Sequence, residues 1–196
     1  MKISKYAFNK APLNNQGGFT LFEILIVLAI SAILLSLATP SFYAYSAQSK
    51  SKAINQKLAG LLRQARSNAL NHQSSTVLCP SLDGLKCGGD WQEGVLIFED
   101  LNNDKQLNNT EAIVYFQSPL IEKGSIRWTA LYNYLSFSGQ GLSGSSAGSF
   151  IYCPEDKNPN YANALIVSFS GKIRRAIDSN YDGIRESGNN KNIVCL

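Results

Sequence analysis

The sequence predicts an α+β fold, with one long N-terminal helix laid on an antiparallel β-sheet domain. Three observations predict it. An apolar run extends almost without break from Phe19 to Ala38. A helical stripe of apolar residues follows, from Ile54 to Ala69. After His72 the period shortens to that of strands, in short runs separated by Gly, Asn, Asp and Ser. The chain has 196 residues and 44% hydrophobic content, so one globular domain with one core fits after the apolar run.

The apolar run comes first in order. A short leader carrying Lys2, Lys5 and Lys10 ends in Gly17-Gly18, and the apolar segment begins after the glycine. A secretory signal has the reverse order and is discarded with its apolar region. Cleavage after Gly18 would instead leave Phe19 and the apolar segment as the new N-terminus. As a helix the run spans about 30 Å, the thickness of a bilayer core. Its one ionisable side chain is Glu23, and a carboxylate costs about 3 kcal/mol at the centre of a membrane helix. Glu23 is near the helix end, where it can reach the interface and be tolerated. The alternative is a functional group, the default reading of an intramembrane carboxylate. The leader lysines favour a cytoplasmic N-terminus, which sends everything after Ala38 across the membrane.

The run Gly17-Gly18-Phe19-Thr20-Leu21-Phe22-Glu23 resembles the N-terminus of type IV prepilins and type II secretion pseudopilins. The resemblance implies cleavage by prepilin peptidase between Gly18 and Phe19, and N-methylation of Phe19. It implies that Glu23 pairs with the N-terminal amine of a neighbouring subunit in a fibre. The expected organisation is a cleaved leader at 1–18, a transmembrane and filament-core helix at 19–39, an amphipathic helix at 40–72 and a periplasmic β domain at 73–196. The partners implied are prepilin peptidase, other minor and major pilins, and inner-membrane lipid. The chain would cross the inner membrane once and enter a pilus or pseudopilus.

Cys79, Cys87, Cys153 and Cys195 all lie beyond the apolar run, and none is in C-x-x-C spacing. In an oxidising periplasm they are expected to form disulfides. Three pairings are open; the favoured one joins Cys79 to Cys87 around a small loop and Cys153 to Cys195 at the C-terminus. Buried free thiols are the alternative. The formal charge of +4 includes three leader lysines, so the mature chain has 15 basic against 14 acidic residues, a net of +1. Non-specific attraction to nucleic acid therefore cannot come from bulk charge, and any such binding needs a local patch.

Pro40 should kink the path between the apolar run and a second helical stretch at 41–72. In that stretch Ile54, Leu58, Leu61, Leu62, Ala65 and Ala69 share one face. Lys52, Lys57, Arg63 and Arg66 fall largely elsewhere and read as a solvated face. Strands are expected at 75–79, 95–98, 112–116, 125–128, 134–137, 149–153, 164–169 and 172–177. The Gly- and Ser-rich loop 139–148 is expected to be mobile.

Trp91-Gln92-Glu93-Gly94-Val95, Asp100-Leu101-Asn102-Asn103-Asp104 and Glu111-Ala112-Ile113 resemble the signature of the GspH/FimT pseudopilin family. So do Phe150–Cys153 and Val167–Arg174. The resemblance implies the type IV pilin fold and a minor subunit near the filament tip that helps start assembly. Some family members bind DNA in natural transformation through a C-terminal G-R-x-R motif. Here the chain reads Gly171-Lys172-Ile173-Arg174-Arg175. Lys172 keeps the charge but lacks the planar fork that grips two phosphate oxygens. Lys172, Arg174 and Arg175 are thus candidates for binding double-stranded DNA, a solvated strand face being the alternative. The competing reading is a pseudopilin of the type II secretion system without DNA binding.

Two segments mimic calcium loops imperfectly. Asp100-x-Asn102-x-Asp104 with Glu111 has Lys105 where a glycine is wanted, and Asp178-x-Asn180-x-Asp182-Gly183 ends in Asn189 instead of an acid. Ordinary turns explain both, and no metal or cofactor is expected. His72 is the only histidine and sits at a helix end, with no nucleophile or second acid in recognisable relation to it. Gly139-x-Gly141-x-x-Gly144 spells a dinucleotide fingerprint but is followed by a poor helix start. The expectation is a structural protein, not an enzyme.

Overall fold

A computed structural model describes residues 18–195, without the side chains of 37–40. Residues 1–17 of the expected leader, with Lys2, Lys5, Lys10 and Gly17, lie outside the described residues. The chain divides into two units, Met1–Tyr43 and Ala44–Leu196.

In the first unit, helix α1 (Leu21–His72) begins. Thr20 caps it, its hydroxyl accepting from the Glu23 N–H at 3.2 Å, which satisfies one of the orphan donors of the first turn. The helix continues through Pro40, so the two expected segments form one element. Along the apolar run, side chains on every side are exposed, from Leu21 at 81% to Leu35 at 64%. A helix apolar all round belongs in a larger core or a bilayer. The hydroxyls of Ser31 and Ser36 donate back to the carbonyls of Val27 and Ile33 at 2.7 Å, so these polar groups are satisfied within the helix.

In the second unit α1 runs on to His72 and stops where Gln73 turns left-handed at φ 51°. Eight strands follow: β1 (Ser75–Pro80), β2 (Val95–Asp100), β3 (Ile113–Gln117), β4 (Ser125–Trp128), β5 (Leu135–Phe137), β6 (Gly148–Cys153), β7 (Asn163–Val167) and β8 (Ile173–Arg175). They form two four-stranded antiparallel sheets, in the orders β3-β2-β1-β5 and β4-β6-β7-β8, where a single sheet under the helix was expected. Leu58, Ala59, Leu61, Leu62, Ala65 and Ala69 of α1 share one core with Leu78, Val95, Ile97 and Phe137 of the first sheet. Phe150, Leu165 and Val167 of the second sheet complete it. Trp91 stands edge-on to Phe150 at 4.7 Å in that core.

Both sheets are covered on their second face as well. Val77, Cys79, Leu96 and Phe98 pack under Leu107 and Tyr134. Ile151, Ala164 and Ile166 pack under Ala176 and Ile193 of the C-terminal segment. Strands buried on both faces read as unbroken apolar runs, as in Val95–Phe98 and Ala164–Val167.

The loop 139–148 is not the loose segment expected. It contains a 3₁₀ turn at Gly144–Ser146 and buries Gly141, Ser143 and Ser146. The Ser143 hydroxyl donates to Ser168 O at 2.7 Å and the Ser146 hydroxyl to Ser143 O at 2.6 Å. These serines supply the bonds that strand pairing supplies elsewhere.

Candidate functional site

At the start of the described residues, Gly18 and Phe19 are exposed, and a Cβ built on Gly18 would meet no described residue within 4 Å. Glu23 lies exposed in the first turn of α1, and its carboxylate makes no ion pair among the described residues. Thr20-x-x-Glu23 spells the first half of a capping box; this signal was legible in the sequence and assigns Thr20 the task of starting the helix.

The basic residues sit at the β8 edge of the second sheet, where charge also guards against strand addition. The hairpin turn 168–171 before β8 is closed by bonds from Gly171 N to Ser168 O and from Ser168 N to Lys172 O. It needs Gly171 at φ +73°, as three-residue hairpin loops ending in a left-handed residue do. Lys172, Arg174 and Arg175 are exposed. The register sets Arg174 opposite Ile166 and Arg175 opposite Leu165, so the two arginines leave opposite faces of the sheet. Arg174 lines a recess with Ser149, Ser187 and Asn189. Lys172 lines a groove on the α1 side with Arg63 and Arg66. The expected triad is therefore split across the sheet edge, and two helix arginines join one half of it.

Those helix residues correct the solvated-face reading in part. Arg66 is half-buried and donates its Nε to Gly141 O at 3.0 Å. Lys57 is half-buried too, donating to Leu120 O at 2.6 Å, and burial holds its pKa below the ordinary lysine value.

The first acidic loop carries a cation of its own. Asp100 is fully buried, and the Lys105 ammonium lies 2.7 Å from its Oδ2. Lys105 adopts φ 64° at the sharp turn, which folds its side chain back into the loop. Glu111 accepts from the backbone of Leu101 and Asn108 at 2.8 and 2.9 Å. The second loop is held from within: Asp178 accepts from Gly183 N at 2.9 Å, and Glu186 accepts from Ser179 N at 3.0 Å and Ser179 Oγ at 2.9 Å. No cluster of potential metal ligands occurs among the described residues.

The Ser179 N–H holds the Glu186 carboxyl below the ordinary glutamate value, and the Ile184 N–H does the same for Asp182, helped by Asn192. A lowered carboxylate pKa lends stability that is complete above the unfolded value, near 4, and is lost as pH falls through the folded one. Acidification below about pH 4 should therefore release the 178–192 segment before the core. Hydrogen exchange at pH 7 and pH 3 checks this, and unchanged protection of that segment at pH 3 would contradict it.

Cys79 is joined to Cys87 and Cys153 to Cys195, with no free cysteine among the described residues. The second bond ties the C-terminal segment to β6, the strand it covers, and a native disulfide in a small secreted domain contributes about 2–5 kcal/mol. His72 keeps a surface role, its Nδ1 against Glu99.

The chain is similar to several known proteins. The family model "Type II transport protein GspH" matches residues 55–171, ending just before Lys172. The model "Prokaryotic N-terminal methylation motif" matches residues 13–39. Competence protein ComGC of Halalkalibacterium halodurans is 31% identical over 54% of this chain and 95% of its own length. Prepilin peptidase-dependent protein A of Clostridium perfringens is 40% identical over 28% of this chain. The type IV major alpha-pilin of Moraxella bovis is 34% identical over 33% of it. The chain spans 39% and 45% of those last two proteins. The type IV minor pilin FimU of Pseudomonas aeruginosa superposes with a TM-score of 0.52 over 66% of this chain and 90% of its own, at 17% identity. At that identity the likeness is one of fold, a long N-terminal helix on antiparallel sheets.

Proposed function

The chain belongs to the GspH family, and from that premise we propose that it acts as a minor pilin in assembling a type IV pilus and takes up DNA in natural transformation. As a member of that family carrying an N-terminal methylation motif, it is a minor pilin or pseudopilin, a structural protein and not an enzyme. The observation that carries the proposal is the junction, in one chain, of the methylation motif at 13–39 with the GspH unit at 55–171.

Prepilin peptidase cuts between Gly18 and Phe19, and Phe19 is then methylated. Nothing among the described residues crowds Gly18, and the requirement for a small residue there belongs to the peptidase. Glu23, unpaired among the described residues, neutralises the amine of a neighbouring Phe19. The leader lysines keep the N-terminus cytoplasmic and put the second unit in the periplasm, where its two disulfides persist. DNA uptake draws support from the competence protein among the relatives and from the exposed Lys172, Arg174 and Arg175.

The family description favours a second reading, a pseudopilin of the type II secretion system. Deleting the gene separates the two. Loss of pili and transformation with secretion intact is expected; loss of secretion with pili intact would replace the pilus by the secretion system.

A further inference from the structure

We propose that Arg63 and Arg66 of α1 bind DNA phosphates together with Lys172, so that the nucleic-acid face is the helix side of the β8 edge. This rests on the DNA-binding reading above and says which side chains perform it. The three cations line one open groove of about 390 Å³, with Ser67, Asn71 and Ile173 and without a single carboxylate. Arg63 and Arg66 are one helical turn apart, so their side chains are neighbours. Arg63 is exposed, and neither it nor Lys172 has an ion-pair partner among the described residues. The bond from Arg66 to Gly141 O occupies its Nε alone; it fixes the guanidinium plane and leaves the terminal N–H donors for a phosphate.

The backbone is shaped to make this meeting possible. A Cβ on Gly171 would lie 2.0 Å from Gly141 O and 3.1 Å from Arg66 Nε, and Gly171 and Gly141 both have positive φ. Only two glycines let the β7–β8 turn sit so close to the helix, and the next residue is Lys172. Charge along the chain reinforces the placement. Between Glu23 and Asp83 there is no acidic residue, while Lys50, Lys52, Lys57, Arg63 and Arg66 all fall in that interval. The helix brings no acid of its own to the groove, and no carboxylate lines it beside Arg63, Arg66 and Lys172, which is the local charge that a polyanion reads. Arg174 leaves the other face of the sheet, so it contributes less than either helix arginine.

The test uses the full-length mature chain in uncharged detergent, with anisotropy of a short fluorescent duplex measured against salt. Wild type should bind without regard to sequence, since phosphates carry no base information. Arg63→Gln with Arg66→Gln should weaken binding about tenfold or more and reduce the salt slope by about 1.8, two phosphate contacts at about 0.9 each. Because Arg66→Gln also breaks the bond to Gly141, Arg63→Glu serves as the second variant. It should weaken binding at least as much as Arg174→Gln. If both helix variants bind like wild type while Arg174→Gln with Arg175→Gln abolishes binding, the helix arginines are solvated surface and the inference falls alone. If wild type binds no duplex at any salt, the DNA-binding reading itself falls. Binding to phosphatidylglycerol vesicles that depends on Arg63, without duplex binding, would assign the groove to lipid phosphate and overturn both.

Discussion

Glu23→Ala is expected to insert into the membrane at least as well as wild type and to be missing from assembled filaments. Insertion should not suffer because the variant removes the one ionisable side chain of the apolar run, worth about 3 kcal/mol at the helix centre. The start of the helix should survive as well. Thr20 Oγ1 accepts from the backbone N–H of residue 23, not from its side chain, and alanine is the best helix former. What the variant lacks is the carboxylate, so in a fibre the amine of the neighbouring Phe19 would be left in an apolar core without a counter-charge. The measurement is the ratio of the chain in sheared filaments to that in membranes. Wild-type incorporation would make Glu23 a polar residue that the interface tolerates.

Lys105→Ala is expected to cost about 3 kcal/mol or more of stability, the effect of breaking a buried ion pair. Asp100 has no exposed surface and ends β2, while the ammonium of Lys105 lies 2.7 Å away. Removing the lysine side chain leaves a carboxylate in the sheet interior whose remaining hydrogen-bond partners, among the described residues, are the N–H of residue 105 and Ser75 Oγ. The positive φ at residue 105 confuses a single variant, so Lys105→Gly is the companion. It relieves the backbone and still leaves Asp100 unpaired. Both should lower the unfolding midpoint. A glycine variant as stable as wild type would show that backbone conformation, and not the pair, is what Lys105 contributes to.

The helix and all eight strands were legible within two residues at each end, because each is marked by a local pattern: a turn of helix repeats every 3.6 residues, and strands are short runs bounded by Gly, Asn, Asp and Ser. The division into two sheets was not. β5 leaves its sequence neighbour β4 to pair with β1, and β4 pairs with β6, choices made by packing over long separations. The loop 139–148 looked mobile because glycine and serine predominate; its order comes from hydroxyls whose partners are set only by the fold, such as Ser143 bonding Ser168 O.

The candidate site shows the same limit. Glu23, Gly18 and Phe19 stand in a motif of consecutive residues and could be read directly. The basic groove could not, since it joins Arg63 and Arg66 to Lys172, more than a hundred residues on; nor could the carbonyls that Arg66 and Lys57 bond, 75 and 63 residues away. Periodicity placed both beside the apolar stripe and gave no sign of what they would meet. Lys105 was noticed as a flaw in a calcium loop, whereas the fold uses it as the cation of that loop.

The most direct test of whether this chain is a processed, membrane-anchored pilin subunit is mass spectrometry of its N-terminal peptide after recovery from membranes. Wild type should begin at N-methylated Phe19, with the leader gone. Gly18→Glu, at a position where a Cβ meets nothing among the described residues, should begin at Met1 and carry no methyl group on Phe19. A wild-type chain that keeps Met1, or a Gly18→Glu chain that still begins at methylated Phe19, would contradict it.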